Sequence, residues 1–128
     1  MLVIRDAQMA VFARQAKGEF EDRMVSQIES GYPRHFARLG EAGARRFVQK
    51  AIAMGAANGI SGEGSVAVLM ELMLEFGEQF EMSPERAWAR RMLAHPTLPG
   101  VVKVDVMRDR LTAATQGRTI VRFPESQS

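Results

Sequence analysis

Apolar side chains recur every three or four residues along most of the chain, a spacing that places them on one face of an α-helix. The first such stripe begins after Asp6, a good helix-capping residue, and ends near Ser30. Gly18 lies inside it and costs about 1 kcal/mol relative to alanine, which a stripe of this length outweighs. The pattern therefore predicts a long amphipathic helix from about Asp6 to Ser30. Its buried face comprises Met9, Phe12, Ala16, Phe20, Met24 and Ile28.

A second helix is predicted from about Glu41 to Ala57. Pro33 separates it from the first, because proline lacks the backbone N–H that continues a helix. Residues 34–39 are expected to form a single turn between the two helices. After Ala57, Gly59 suits the left-handed conformation that ends many helices, and Ile60 can fold back onto the last turn. We therefore expect the second helix to stop at residues 58–60.

The third helix is predicted around the run from Val66 to Phe76, which is apolar nearly all round. A helix with this pattern is buried on most of its sides, and the run is too short to span a bilayer. Ser61 or Ser65 is the expected N-cap, depending on whether the intervening glycines lie inside or outside the helix. This segment is therefore predicted to form the centre of the core.

Two further helices complete the predicted fold. One runs from about Pro84 to Ala94, with Ser83 as its cap and Trp88 in the core. The last segment is ambiguous, because residues 101–106 alternate like a strand while a helical stripe continues beyond them. We favour a helix over about residues 100–115, since no partner strand is evident upstream. Its stripe comprises Val104, Met107, Leu111 and Ala114.

Together these elements predict an all-α protein, a compact bundle of four to five helices with a short extended C-terminal tail. The length of 128 residues and the apolar fraction of 46% fit one domain, which we assign to residues 1–117, with 118–128 as the tail. The chain has no cysteine, which excludes disulfides and thiolate ligands. It has neither a signal-peptide pattern nor a membrane-length apolar run. We expect a cytoplasmic protein without membrane insertion.

Charge is distributed in blocks. Residues 51–85 carry six glutamates and no lysine or arginine, whereas residues 33–50 carry five basic residues and one glutamate. Glu71, Glu75 and Glu78 follow one another at i, i+4 and i+7, where like charges repel by a few tenths of a kcal/mol. This acidic strip either pairs with arginines of neighbouring helices or binds a basic partner. The arginines considered for pairing are Arg45, Arg46, Arg86 and Arg90.

Candidate catalytic and metal-binding groups are sparse. Tyr32 lies near His35 in the sequence, but no neighbouring carboxylate or hydroxyl completes a recognisable triad, and packing at a helix corner is the favoured interpretation. His95 is expected at a helix C-terminus. The acidic strip contains no histidine and lacks the loop pattern of a calcium hand. We expect no enzymatic activity, no metal and no cofactor.

Several sequence features together resemble a group of small helical proteins encoded beside type VI secretion effectors. The resemblance covers roughly residues 3–89, and its motifs are helix caps and core aromatics. It implies an accessory or co-chaperone role during effector loading, and it transfers no catalytic residue. The features are Val3-Ile4-Arg5, Gln8-Met9, Phe12, Gly59-Ile60, Phe76-Gly77, and Phe80 before Pro84 and Ala87-Trp88-Ala89.

The sequence therefore favours a non-enzymatic protein-interaction module, whose partner the resemblance implies to be an effector or an effector chaperone. The candidate contact residues are Glu71, Glu75, Glu78, Arg45 and Arg46. The alternative is a helical nucleic-acid-binding protein that uses the basic patch of residues 34–50. The modest net charge of +2 and the six-glutamate block count against that alternative.

Overall fold

The computed structural model describes residues 2–115, with the side chains of residues 14–115, so the predicted tail lies outside the described residues. Over residues 2–115 the chain is all-α and contains no strand, which confirms the predicted fold class and the helical assignment of residues 101–106. The α-helices are α1 (Leu2–Gly31), α2 (Pro33–Ala57), α3 (Glu63–Phe76), α4 (Ala87–Ala94) and α5 (Gly100–Thr115). Two short 3-10 helices, Phe80–Met82 and Pro84–Arg86, precede α4.

Backbone contacts divide the chain into two compact units, one ending at Lys50 and the other beginning at Ala51. We call them the N-terminal unit and the C-terminal unit. The boundary falls inside α2, whose last two turns belong to the C-terminal unit. The single domain expected for residues 1–117 stays a prediction.

The N-terminal unit contains α1 and the first part of α2. Its buried apolar side chains comprise Phe20, Met24, Val25 and Ile28 from α1, and Ala44, Phe47 and Val48 from α2. Phe20, Met24 and Ile28 belong to the predicted stripe, whereas Ala16 of that stripe is exposed. Gly40 interrupts α2 with a φ of 73°, a conformation that glycine adopts without the steric cost of a Cβ. Residues 34–39 are expected from the sequence to form a single turn, but they belong to a helix that begins at Pro33. After the interruption at Gly40 the helix resumes at Glu41, where the second helix is predicted to begin.

In the C-terminal unit, α3 is buried along most of its length and packs against α5. Its N-cap is Gly62, with no side-chain cap, so the expected capping role of Ser61 or Ser65 is wrong. Ser65 lies within the first turn instead. Trp88 is only half-buried, and the guanidinium carbon of Arg110 lies 4.0 Å from its ring centroid, a distance that gives a cation–π contact.

The predicted stop after α2 is confirmed. Gly59 has a φ of 74°, and the backbone N–H groups of Asn58 and Ile60 both donate to the carbonyl of Gly55, at 3.0 and 2.8 Å. Ile60 is fully buried. This is the hydrogen-bonding pattern of a glycine-terminated helix with its accompanying hydrophobic contact.

Replacing Gly59 with valine should destabilise the C-terminal unit, because a β-branched residue is strained at a φ of 74°. We expect a loss of about 1–2 kcal/mol, measured by thermal or urea denaturation. Gly59→Asn is the matched control, since asparagine tolerates the left-handed region and should lose less. Equal stability of wild type and Gly59→Val would contradict the assignment of this helix stop.

Lys103 joins three segments of the C-terminal unit. Only 2% of the residue is exposed, and its Nζ donates hydrogen bonds of 2.7 Å to the carbonyls of Asn58 and Leu93. Asn58 follows the last residue of α2, and Leu93 lies in the last turn of α4. The ammonium therefore satisfies carbonyls at two helix C-termini, where the helix dipole favours a cation.

Candidate functional site

A groove between α1 and α2 of the N-terminal unit combines an apolar floor with a charged rim. Its volume is about 420 Å³. Val25 is buried and Phe36 is half-buried, and these two side chains supply the apolar surface. The remaining lining residues are Asp22, Ser26, Glu29, Glu41 and Arg45. We refer to these seven residues as the α1–α2 groove.

Arg45 holds one end of the groove. Its guanidinium donates to Asp22 Oδ1 at 2.6 Å and to Glu21 Oε1 at 3.3 Å, and so connects α2 to α1. The two carboxylates differ in environment, because the Glu21 side chain is 10% exposed and that of Asp22 is 68% exposed. Gln49 also donates to Glu21 Oε1, at 3.4 Å. The hydrogen bond to Asp22 is the main cause that raises the pKa of Arg45 above its usual value.

The other end of the groove is acidic. Glu29 and Glu41 are both exposed, and neither forms an ion pair with any residue whose side chain the structure describes. The groove thus has three carboxylates and one guanidinium, and that guanidinium is bonded to Asp22. The apolar side chain of Phe36 lines the same groove as this uncompensated negative charge.

The sequence-predicted contact residues lie in both units. Arg45 lines the groove, and Arg46 is exposed on α2. Glu71, half-buried, and Glu75, exposed, lie on α3 in the C-terminal unit. Glu78 follows the end of that helix.

The acidic strip is therefore not one helix face. Gly77 ends α3 with a φ of 109°, so the i, i+7 relation between Glu71 and Glu78 does not place them on a common helical surface. Glu71 and Glu75 are one turn apart on α3, as predicted. The geometric reason is that residues share a helix face only while the helix continues.

Three of the four arginines considered as partners for the strip contact other groups. Arg45 pairs with Glu21 and Asp22 in its own unit. Arg86 donates to the carbonyls of Phe76 and Phe80 at 3.5 and 3.4 Å, and Arg90 donates to the carbonyl of Glu81 at 3.3 Å. Arg86 thus ties the second 3-10 helix to the first one and to the end of α3, and Arg90 ties the first 3-10 helix to α4. Their role in these contacts is to satisfy backbone carbonyls at helix ends.

The Tyr32 and His35 rings form an edge-to-face pair, with centroids 5.7 Å apart. His95 caps α4, and its Nδ1 accepts from the N–H groups of Thr97 and Leu98 at 3.2 and 3.3 Å. In both places the side chain orders a helix corner or a turn. Among residues 14–115 no three acidic or histidine side chains converge as metal ligands.

Comparison of the chain with protein-family models, curated proteins and solved structures finds no match. None of the helices within residues 2–115 is long and apolar enough to cross a bilayer.

Sequence reasoning missed most of the groove. Of its seven residues, only Arg45 is among the contact residues predicted from the sequence. One signal was available, because Asp22, Ser26 and Glu29 follow at i, i+4 and i+7 on the face next to the buried Val25. That spacing predicts the acidic side of the groove on α1. The residues of α2 that line the opposite side cannot be predicted in this way, because only the fold brings them there.

Proposed function

We propose that this protein is a non-enzymatic interaction module that binds a protein partner in the cytoplasm through its α1–α2 groove. The groove geometry supports this function, because an apolar floor beside exposed carboxylates suits an amphipathic protein segment better than a small substrate. Protein-binding surfaces commonly combine an apolar centre with a polar rim in this way. The carboxylates that form no described ion pair, Glu29 and Glu41, are the proposed rim contacts.

The resemblance over residues 3–89 extends this proposal to type VI secretion. On that basis the partner is an effector or an effector chaperone, and the protein acts as an accessory during loading. A basic surface on that partner would be complementary to the groove. Glu71, Glu75 and Glu78 form a second, separate candidate contact surface.

Reversing the two rim charges with Glu29→Lys and Glu41→Lys should abolish partner capture. The doubly substituted groove would carry three cations and one carboxylate, so a basic segment would be repelled instead of attracted. The measurement is affinity capture from the native host with quantitative mass spectrometry. The decisive result is one protein enriched by wild type and lost with the double variant, while circular dichroism and the melting temperature stay unchanged.

Two further double variants make the same change in charge elsewhere. Glu19→Lys with Asp109→Lys alters exposed residues on α1 and α5 and should retain the partner. Glu75→Lys with Glu78→Lys tests the acidic strip. If that variant alone loses the partner, the contact surface is the strip and the groove proposal is wrong.

A separate binding experiment tests the nucleic-acid alternative. Binding to a DNA or RNA duplex that strengthens as salt is lowered, and that is lost with Arg34→Ala and Arg38→Ala, would replace the groove proposal. These two arginines are exposed on the first part of α2.

A further inference from the structure

We infer that the segment bound in the α1–α2 groove carries an arginine, and that its guanidinium replaces Arg45 as the ion-pair partner of Asp22. This inference rests on the proposed function and names the chemistry of the partner. The occupant is an amphipathic segment of a protein partner, with an arginine next to an apolar residue. Its guanidinium would lie at the acidic rim and its apolar residue on Val25 and Phe36.

Arg45 shows that a guanidinium can bind one carboxylate of this rim, that of Asp22. Arg45 contributes the pair of donors that bridges Asp22 and Glu21, at 2.6 and 3.3 Å. A guanidinium presents several N–H groups in one plane and so suits neighbouring carboxylates better than an ammonium does. The same carboxylate chemistry continues along the rim at Glu29 and Glu41.

Arg45 can release Asp22 without losing its place. Its second carboxylate, Glu21, is largely buried and lies outside the groove, while Asp22 is exposed and lines it. An incoming guanidinium therefore competes for Asp22 alone, and Arg45 keeps its bond to Glu21. Exposed ion pairs are weak, so this exchange is an accessible step.

Charge complementarity selects a cationic occupant. Three carboxylates and one guanidinium line the groove, so a second cation would bring its charge closer to balance. The apolar side chain of Phe36, which lines the groove together with Glu41, would contact the methylene groups of an arginine, which bury readily while the charged end stays at the rim.

The test uses the full-length protein and three synthetic peptides measured by fluorescence anisotropy. The peptides are one amphipathic helix with arginine and leucine spaced four residues apart, and its two counterparts with lysine or glutamine in place of arginine. The arginine peptide should bind several-fold more tightly than the lysine peptide, and the glutamine peptide should not bind. Equal affinity for the arginine and lysine peptides would overturn the guanidinium assignment.

Arg45→Gln provides the sharper result. Because it frees Asp22, it should tighten binding of the arginine peptide by roughly two- to fivefold, whereas Arg45→Lys should resemble wild type. Unchanged or weaker binding by Arg45→Gln, with an unchanged circular dichroism spectrum, would refute the exchange at Asp22. If Arg45→Gln unfolds, Asp22→Asn replaces it, and loss of the preference for arginine over lysine is then expected.

Failure of this inference is distinguishable from failure of the proposed function. Partner capture that depends on Glu29 and Glu41, with no peptide preference for arginine, would leave the groove as the binding site and refute only the arginine. If substitution of both glutamates leaves partner capture unchanged, the groove is not the binding site.

Discussion

Gly55→Ala is expected to destabilise the protein by about 2–3 kcal/mol, although the same substitution usually stabilises a helix interior by up to about 1 kcal/mol. A Cβ at this position of α2 would lie 2.5 Å from the carbonyl oxygen of Ile60 and 3.4 Å from Val66. The close contact is with backbone, so no side-chain rotation relieves it. The Gly55 carbonyl also accepts the hydrogen bond from Ile60 that closes the helix stop.

The measurement is the free energy of unfolding from urea denaturation, with the melting temperature as a second readout. Gly64→Ala is the matched control, because Gly64 also lies in a helix and a Cβ there meets nothing within 4 Å. The control should be neutral or slightly stabilising. A loss of stability in Gly55→Ala, with none in the chemically identical change at Gly64, would confirm the close approach of Ile60 to α2. Equal effects of the two changes would show that the chain after Gly59 does not return onto the helix.

The expected loss of stability in Gly55→Ala shows what apolar periodicity can and cannot predict. Gly55 lies in the second predicted helix, where its small size allows a neighbouring element to approach closely, and the structure buries it. Its contact is not another helix, however, but the backbone that follows its own helix stop. Gly59 was predicted to turn the chain there because glycine favours a positive φ, a local preference that the sequence reveals.

Electrostatic links were less predictable than the helices, because they join residues far apart in the chain. The bond between Arg45 and Asp22 spans 23 positions, and no local rule relates the two residues. The acidic strip was inferred from spacing alone, and Gly77 separates Glu78 from the helix that carries the other two glutamates. Residues on either side of a glycine that ends a helix thus do not share a helix face, even when their spacing in the sequence fits one.

Lys103 is a second example, at a buried position, of a link between distant residues that the sequence does not predict. In the run Val102-Lys103-Val104 it occupies what looks like the solvent side of an alternating pattern, and lysine is rarely buried. The structure buries it because two backbone carbonyls, 45 and 10 residues away in the chain, converge on its Nζ. Only the arrangement of α2, α4 and α5 creates that site, so no pattern within the segment predicts it.

Lys103→Met should therefore cost about 2–3 kcal/mol, more than expected for a lysine-to-methionine change on the surface. The methionine keeps most of the apolar stem, but the carbonyls of Asn58 and Leu93 lose hydrogen bonds from a charged donor, each worth about 1.5–3 kcal/mol. Part of that loss is offset, because the variant no longer buries a charge. Lys17→Met on the exposed face of α1 is the matched control and should stay within about 0.5 kcal/mol of wild type.

Lys103→Glu should be far more damaging, with a loss above about 4 kcal/mol or no folded protein at all. Its carboxylate would be buried against two carbonyl oxygens at helix C-termini, where the dipole opposes a negative charge. Lys103→Arg keeps the charge and the donors, so it should fall between wild type and Lys103→Met. Urea denaturation of the three variants gives the order. If methionine and glutamate are tolerated equally, Lys103 is not the buried cation that joins α2 to α4.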